Sequence, residues 1–110
     1  MNNGFDRRYR LLKADEFSSV FAFRRSKNNA YFQVFWGKNN LDYPRLGLIV
    51  AKKVAKKAHE RNYMKRTIRE WFRCHKHELV HADYIVRSKQ KFEAAHHNEA
   101  ILALSSLLKR

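Results

Sequence analysis

Acidic side chains are scarce in this sequence: ten Asp and Glu stand against 24 Lys and Arg, giving a formal charge of +14 over 110 residues. A protein that cuts phosphodiesters with its own side chains usually needs clustered carboxylates to hold metal ions. The acids here are thinly spread, and only Asp15 and Glu16 are adjacent. Neighbours on a helix point about 100° apart, so even that pair is a poor chelator. Glycine is also sparse, at three residues, and no Gly-rich phosphate loop precedes a helix. No Ser-His-Asp order stands out. These absences argue against catalysis encoded in the chain, and no catalytic residue is assigned. Cys74 is the single cysteine, which excludes an internal disulfide and suits a reducing cytoplasm. No apolar run approaches the ~20 residues that span a bilayer. The opening MNNGFDRRYR has positive charge but no apolar segment after it, and does not read as a secretory signal.

What is present is basic and aromatic. A hydrophobic fraction of 45% with 14% aromatics supports a real core, so this is not a disordered basic tail. The length fits one domain, residues 1–110, with about the first eight expected to be disordered. The pI of about 10.4 calls for a polyanionic partner, and nucleic acid suits it better than a membrane.

The charge is concentrated. Lys52–Lys76, KKVAKKAHERNYMKRTIREWFRCHK, holds ten of the 24 basic residues and only two acids, Glu60 and Glu70. On a helical wheel Arg61, Asn62, Lys65, Arg66, Arg69, Arg73 and Lys76 share a sector about 140° wide. Met64, Ile68, Trp71 and Phe72 occupy the next sector. One face is thus buried and holds the helix rigid, while its neighbour presents fixed cations to phosphates. A merely solvated face mixes charge signs for i,i+4 pairing; two glutamates do not neutralise this row.

In chain order, Lys13–Arg25 reads as a short helix with Phe17, Val20 and Phe21 as its apolar stripe. Ser26–Asn29 reads as a loop. Ala30–Trp36 and Arg45–Ala51 read as strands, most simply an antiparallel pair, with Gly47 marking a bulge or close backbone contact. The basic helix spans about Lys57–Lys76, Ala82–Ser88 is a third strand, and Phe92–Lys109 a last helix lined by Ile101, Leu104 and Leu108. Arg7–Leu11 is a candidate edge strand. The pattern is an α-β-β-α-β-α sandwich of the α+β class.

Some residues carry two readings. Cys74, His75, His77 and His81 cluster, and His77 and His81 could share a helical face at i,i+4, a spacing that zinc sites use. With no second ligand pair elsewhere, Cys74 reads better as a small buried apolar residue, and the histidines as helix-end cations or phosphate contacts. Phe17 and Phe21 are either core or a stacking platform for unpaired bases. Up to two rings of the strand over 30–36 could join them, with Arg8, Arg10, Arg24, Arg25 and Lys27 drawing in the polyanion.

Three stretches in order resemble the family of bacterial ribonuclease P protein components: RLLKADEFSSVF (Arg10–Phe21), RLGLIVAKKVAKKAHERNYMKRTIRE (Arg45–Glu70) and ADYIVRSK (Ala82–Lys89) with the helix behind it. The middle stretch is the most specific: a strand ending in Lys-Lys, then a helix carrying Arg61-Asn62-Tyr63-Met64-Lys65-Arg66. Tyr63 stands where the family has a second Arg, so a phenol that can bond phosphate or stack replaces one cation. The resemblance implies a small mixed sheet with a left-handed βαβ crossover, and a cytoplasmic subunit of an endoribonuclease that removes the 5′ leader of precursor tRNA. Its RNA subunit would carry the chemistry, with Mg2+ held mainly by that RNA and no metal held by the protein. It also implies that Lys52, Lys53, Arg61, Asn62, Lys65, Arg66 and Arg69 dock the catalytic RNA. Phe17, Phe21, Arg10, Lys13 and Tyr31 would hold the leader. Neither a membrane nor an obligate protein partner is expected. Two other classes compete: a structural RNA-binding protein of ribosomal type, and a self-sufficient metal-dependent nuclease.

Overall fold

The computed structural model describes residues 7–11 and 13–109. Residues 1–6, most of the segment expected to be disordered, lie outside them. Arg7–Tyr9 form a 3-10 turn. The expected edge strand at 7–11 reduces to one parallel bridge, Arg10 to Leu46, with the Leu11 N–H donating to the Leu46 carbonyl at 2.9 Å.

Helix α1 is Ala14–Ala22. Its first turn is closed by the Glu16 carboxylate, which accepts the Lys13 N–H at 3.0 Å, satisfying a donor the helix leaves orphaned. It ends three residues before the expected Arg25. Arg24 takes a left-handed φ of 56° and turns the chain into strand β1, Arg25–Asn28. This strand replaces the expected loop at 26–29. Its residues are all exposed and polar, so its side chains carry loop chemistry, while its backbone pairs antiparallel with strand β2, Phe32–Lys38. A short, charged strand is a usual guard for a sheet edge.

Strands β3, Arg45–Ile49, and β4, Ala82–Ser88, complete a sheet of order β1-β2-β4-β3. The expected β2–β3 antiparallel pair does not form. β4 lies between them, antiparallel to β2 and parallel to β3. The reason is burial: six of β4's seven residues are buried, and a strand covered on both faces belongs at the centre of a sheet. Arg45 pins this arrangement. Its guanidinium donates twice to the Asp83 carboxylate, at 2.8 and 2.7 Å, and once to Glu16, at 3.1 Å. That fork joins β3, β4 and α1, and raises the guanidinium's already high pKa.

The β3-to-β4 crossover is helix α2, Ala58–His75, which buries Met64, Thr67, Ile68, Trp71 and Phe72. Its start repeats the device of α1: Glu60 accepts the Lys57 N–H at 3.2 Å. A 3-10 turn at Ala94–His96 leads into helix α3, His97–Leu108. Ala100, Leu104 and Leu108 form its buried stripe, and Ile101 is only partly buried. The main core lies where α2 and α3 meet one sheet face: Phe32, Val34, Leu46, Tyr84 and Val86 pack with Met64, Ile68, Phe72, Phe92 and Leu104. A smaller core of Leu11, Val20 and Ile85 lies under α1 on the other face, with Phe17, Phe35 and Ile49 beside it. α1 has nine residues and covers only part of that face. Ile85 is fully buried, but Gln33, Phe35, Ile49 and Arg87 stay partly exposed.

Candidate nucleic-acid interface

The cation row of α2 stands beside its buried stripe, as the helical spacing predicts. Asn62 and Arg66 are exposed, and Arg61, Lys65 and Arg69 are partly exposed. Lys52 and Lys53 are exposed on the turn after β3. That turn is held in register by the helix, because one Arg61 nitrogen donates to the carbonyls of Ala55 and Lys56, each at 2.9 Å. Arg61 therefore organises the loop carrying the lysine pair as well as adding charge. Further along, Arg73 is ion-paired with Glu70, which raises the guanidinium's pKa and lowers the carboxyl's. The open stretch of the row runs from Arg61 to Arg69.

The row meets the sheet at a cleft of about 140 Å³ lined by Arg10, Leu11, Phe17, Leu46, Leu48, Lys65 and Arg69. It lies at the β3 edge, with α1 on one side and α2 on the other. Three cations line it and no carboxylate does. Burial, and then the like charge of Arg10, push the Arg69 pKa down. A phosphate there removes the repulsion and replaces lost hydration. Phe17 projects over Gly47, where an added Cβ would come within 2.6 Å of Cζ of the ring. Gly47 thus marks a close approach rather than a bulge.

From this cleft the α1 side of the sheet carries the aromatics onward. Phe21 is 40% exposed, and its ring packs edge-to-face on Phe35 at 4.9 Å and 84°. Lys13 is exposed at the start of α1. Phe17, Phe21, Arg10 and Lys13 are thus gathered on one side, but Tyr31 is not among them. Its hydroxyl donates to Glu99 of α3 at 3.2 Å, and its ring packs on Phe32 and Phe92 on the far side of the sheet. Strand alternation fails there because Tyr31 precedes β2. The Asn29 side-chain carbonyl accepts the N–H groups of Tyr31 and Phe32, each at 3.0 Å, and bends the chain. Phe35, Gln33 and Arg87 line the face instead, with the Arg87 guanidinium donating to Gln33 Oε1 at 2.9 Å. Alternation within β2 and β4 was the signal for them.

Three further sequence readings change. Tyr63 does not join the cation row: its ring packs on Phe92 and its hydroxyl bonds His97 Nδ1 at 3.1 Å. Cys74 is exposed rather than buried, since it falls four residues after Glu70 on the solvent side of α2. His77 and His81 do not share a helical face, because α2 ends at His75 and a 3-10 turn at Lys76–Glu78 follows. His75 is stacked on Trp71 at 4.3 Å. Among the described residues, no three His, Cys, Asp or Glu side chains converge to hold a metal ion. No helix among them is long and apolar enough to cross a membrane.

A compact α+β domain with a cationic crossover helix set against a half-covered aromatic sheet face is a polyanion-binding module. The chain belongs to the ribonuclease P protein family, whose model, described as Ribonuclease P, matches residues 5–110. It is 53% identical over 103 residues to the ribonuclease P protein component of Chromobacterium violaceum, covering 94% of this chain and 85% of that one. It is 41% identical to that of Baumannia cicadellinicola, covering 96% and 92%. Among solved structures, the Staphylococcus aureus RNase P protein superposes with a TM-score of 0.82 at 32% identity, covering 90% of this chain and 91% of that one. The Thermotoga maritima protein gives 0.75 at 34%, covering 92% and 96%. Membership makes the chain an RNA-binding subunit of a tRNA-processing endoribonuclease.

Proposed function

We propose that this protein docks the catalytic RNA of ribonuclease P through the open row on α2 and holds the 5′ leader of precursor tRNA on the α1 side of the sheet. Lys52, Lys53, Arg61, Asn62, Lys65, Arg66 and Arg69 contact the folded RNA. Phe17, Phe21 and Phe35 stack unpaired leader bases, with Arg10, Lys13 and Arg87 on the phosphates. Stacking and phosphate contacts tolerate any base, which suits a leader of arbitrary sequence. Hydrolysis belongs to the RNA and the Mg2+ it holds, in the cytoplasm, without a membrane or an obligate protein partner. The observation that carries this reading is the shared cleft: Lys65 and Arg69 of the docking row line the same cavity as Phe17 and Arg10 of the leader face. A strand leaving the RNA surface passes directly onto the aromatics.

The test is reconstitution with a cognate catalytic RNA at low magnesium. Added protein is expected to raise the cleavage rate and to favour precursor over mature tRNA. An unchanged rate and equal binding of the two RNAs would overturn the proposal.

A further inference from the structure

At the C-terminal end of α2 lies a second concavity that the docking and leader surfaces leave unused. It has a volume of about 230 Å³ and is lined by Tyr9, Asp42, Tyr43, Lys76, His77 and His81, among others. Three separate segments meet there: the 3-10 turn before α1, the β2–β3 loop, and the connection from α2 to β4. The two tyrosine rings pack edge-to-face at 5.3 Å and 83°. Lys76 places its ammonium 5.0 Å from the centre of the Tyr9 ring and donates to the Arg73 carbonyl at 3.3 Å. The Arg8 guanidinium lies 5.6 Å from the same ring centre. His77 and His81 are exposed, as is Asp42. A Glu78 carboxylate oxygen lies 3.8 Å from His77 Nε2, and that carboxylate is itself engaged by Lys109 at 3.2 Å.

We propose that this concavity takes one unpaired nucleotide of the RNA that α2 docks. The inference rests on the docking reading and adds a base-binding subsite to it. Two aromatic rings beside an ammonium and two imidazoles combine a stacking surface with phosphate donors, the combination by which proteins hold single-stranded or splayed-out bases. Asp42 adds a carboxylate acceptor, which a site for bare phosphate has no use for. It suits the exocyclic amino group of a base, as Asp and Glu accept from cytosine N4. The position fits as well: Lys76 lies about two helical turns beyond Arg69, where the open row ends, and on the same side of the axis, with the Glu70-paired Arg73 between them. An RNA backbone tracking the row reaches Lys76 and the pocket together.

The test uses the full-length 15N-labelled chain titrated with AMP and CMP, with inorganic phosphate as control. Resonances of Tyr9, Tyr43, His77 and His81 are expected to shift with the nucleotides. Tyr43→Ala should weaken that response about tenfold. Tyr43 is half-buried, so the His77→Ala/His81→Ala double variant, at two exposed positions, provides the second check, with an expected loss of roughly fivefold. Identical shifts with inorganic phosphate at equal affinity would reduce the pocket to an anion site and overturn the inference. Shifts confined to Phe17, Phe21 and Phe35 would overturn it too, while leaving the leader-binding proposal intact. Failure of the docking reading itself would show separately, in reconstitution.

Discussion

Arg66 and Arg69 sit one turn apart on α2 in different surroundings, and their substitutions should behave differently. Arg66 is exposed, so Arg66→Ala should leave folding unchanged, weaken binding of the catalytic RNA, and lower the salt slope of log K by about 0.9 for a lost phosphate contact. Arg69 is partly buried beside Arg10. Arg69→Ala should weaken binding as much or more, yet leave the free protein as stable or more stable, because a desolvated like charge is removed. Filter binding over a salt series and thermal melts of the free protein measure both effects. On the other face, Phe21→Ala should cost ~1–3 kcal/mol in precursor binding and little in mature tRNA binding. Tyr31→Phe removes a hydroxyl that serves α3, so it should leave leader binding unchanged and cost about 0.5–1.5 kcal/mol of stability at most. Equal losses from both variants would place the leader elsewhere.

At the scale of elements, α1 and α2 open with the same sequence device, Lys-x-x-Glu, and each glutamate is also held by a distant cation. For α2 that cation is Lys91, whose ammonium lies 3.0 Å from Glu60. Hydrogen bonding from Lys91, then from the Lys57 backbone, holds the Glu60 carboxyl below its ordinary value of 4.5. A carboxyl depressed in the folded state favours folding above its unfolded value, and that contribution is lost as pH falls through the folded value. Glu60→Gln should therefore lower the melting temperature at neutral pH, with the difference from the parent vanishing on the acid side of about 4.5. A melting series across pH checks the sign.

Elements also show what the sequence could and could not reveal. α2 was legible to within a residue at each end, because its apolar stripe and cation row repeat at helical spacing without interruption. β1 was not: its exposed Ser, Lys and Asn side chains carry loop chemistry, and only backbone pairing with β2 makes it a strand. The cations of the site were likewise readable from spacing. The choice between Tyr31 and Phe35 was not, since it depended on a turn at Asn29 that offsets the alternation.

For the molecule as a whole, sheet order matters most. β2 and β3 exchange no ladder bonds, and each is paired to β4. A chain ending at residue 81 should therefore retain helix signal in far-ultraviolet circular dichroism but show no cooperative thermal transition. A cooperative transition in that fragment would mean that α2 packs on a sheet assembled without its centre.

The centre of the sheet is also its latest strand to be synthesised. While the chain is being made, the basic helix leaves the ribosome before the strand that will anchor it emerges, so its cations meet the surrounding RNA before they meet their own fold. Final assembly waits on residues 82–88, and any chain released before them is a sticky polycation with no domain to belong to.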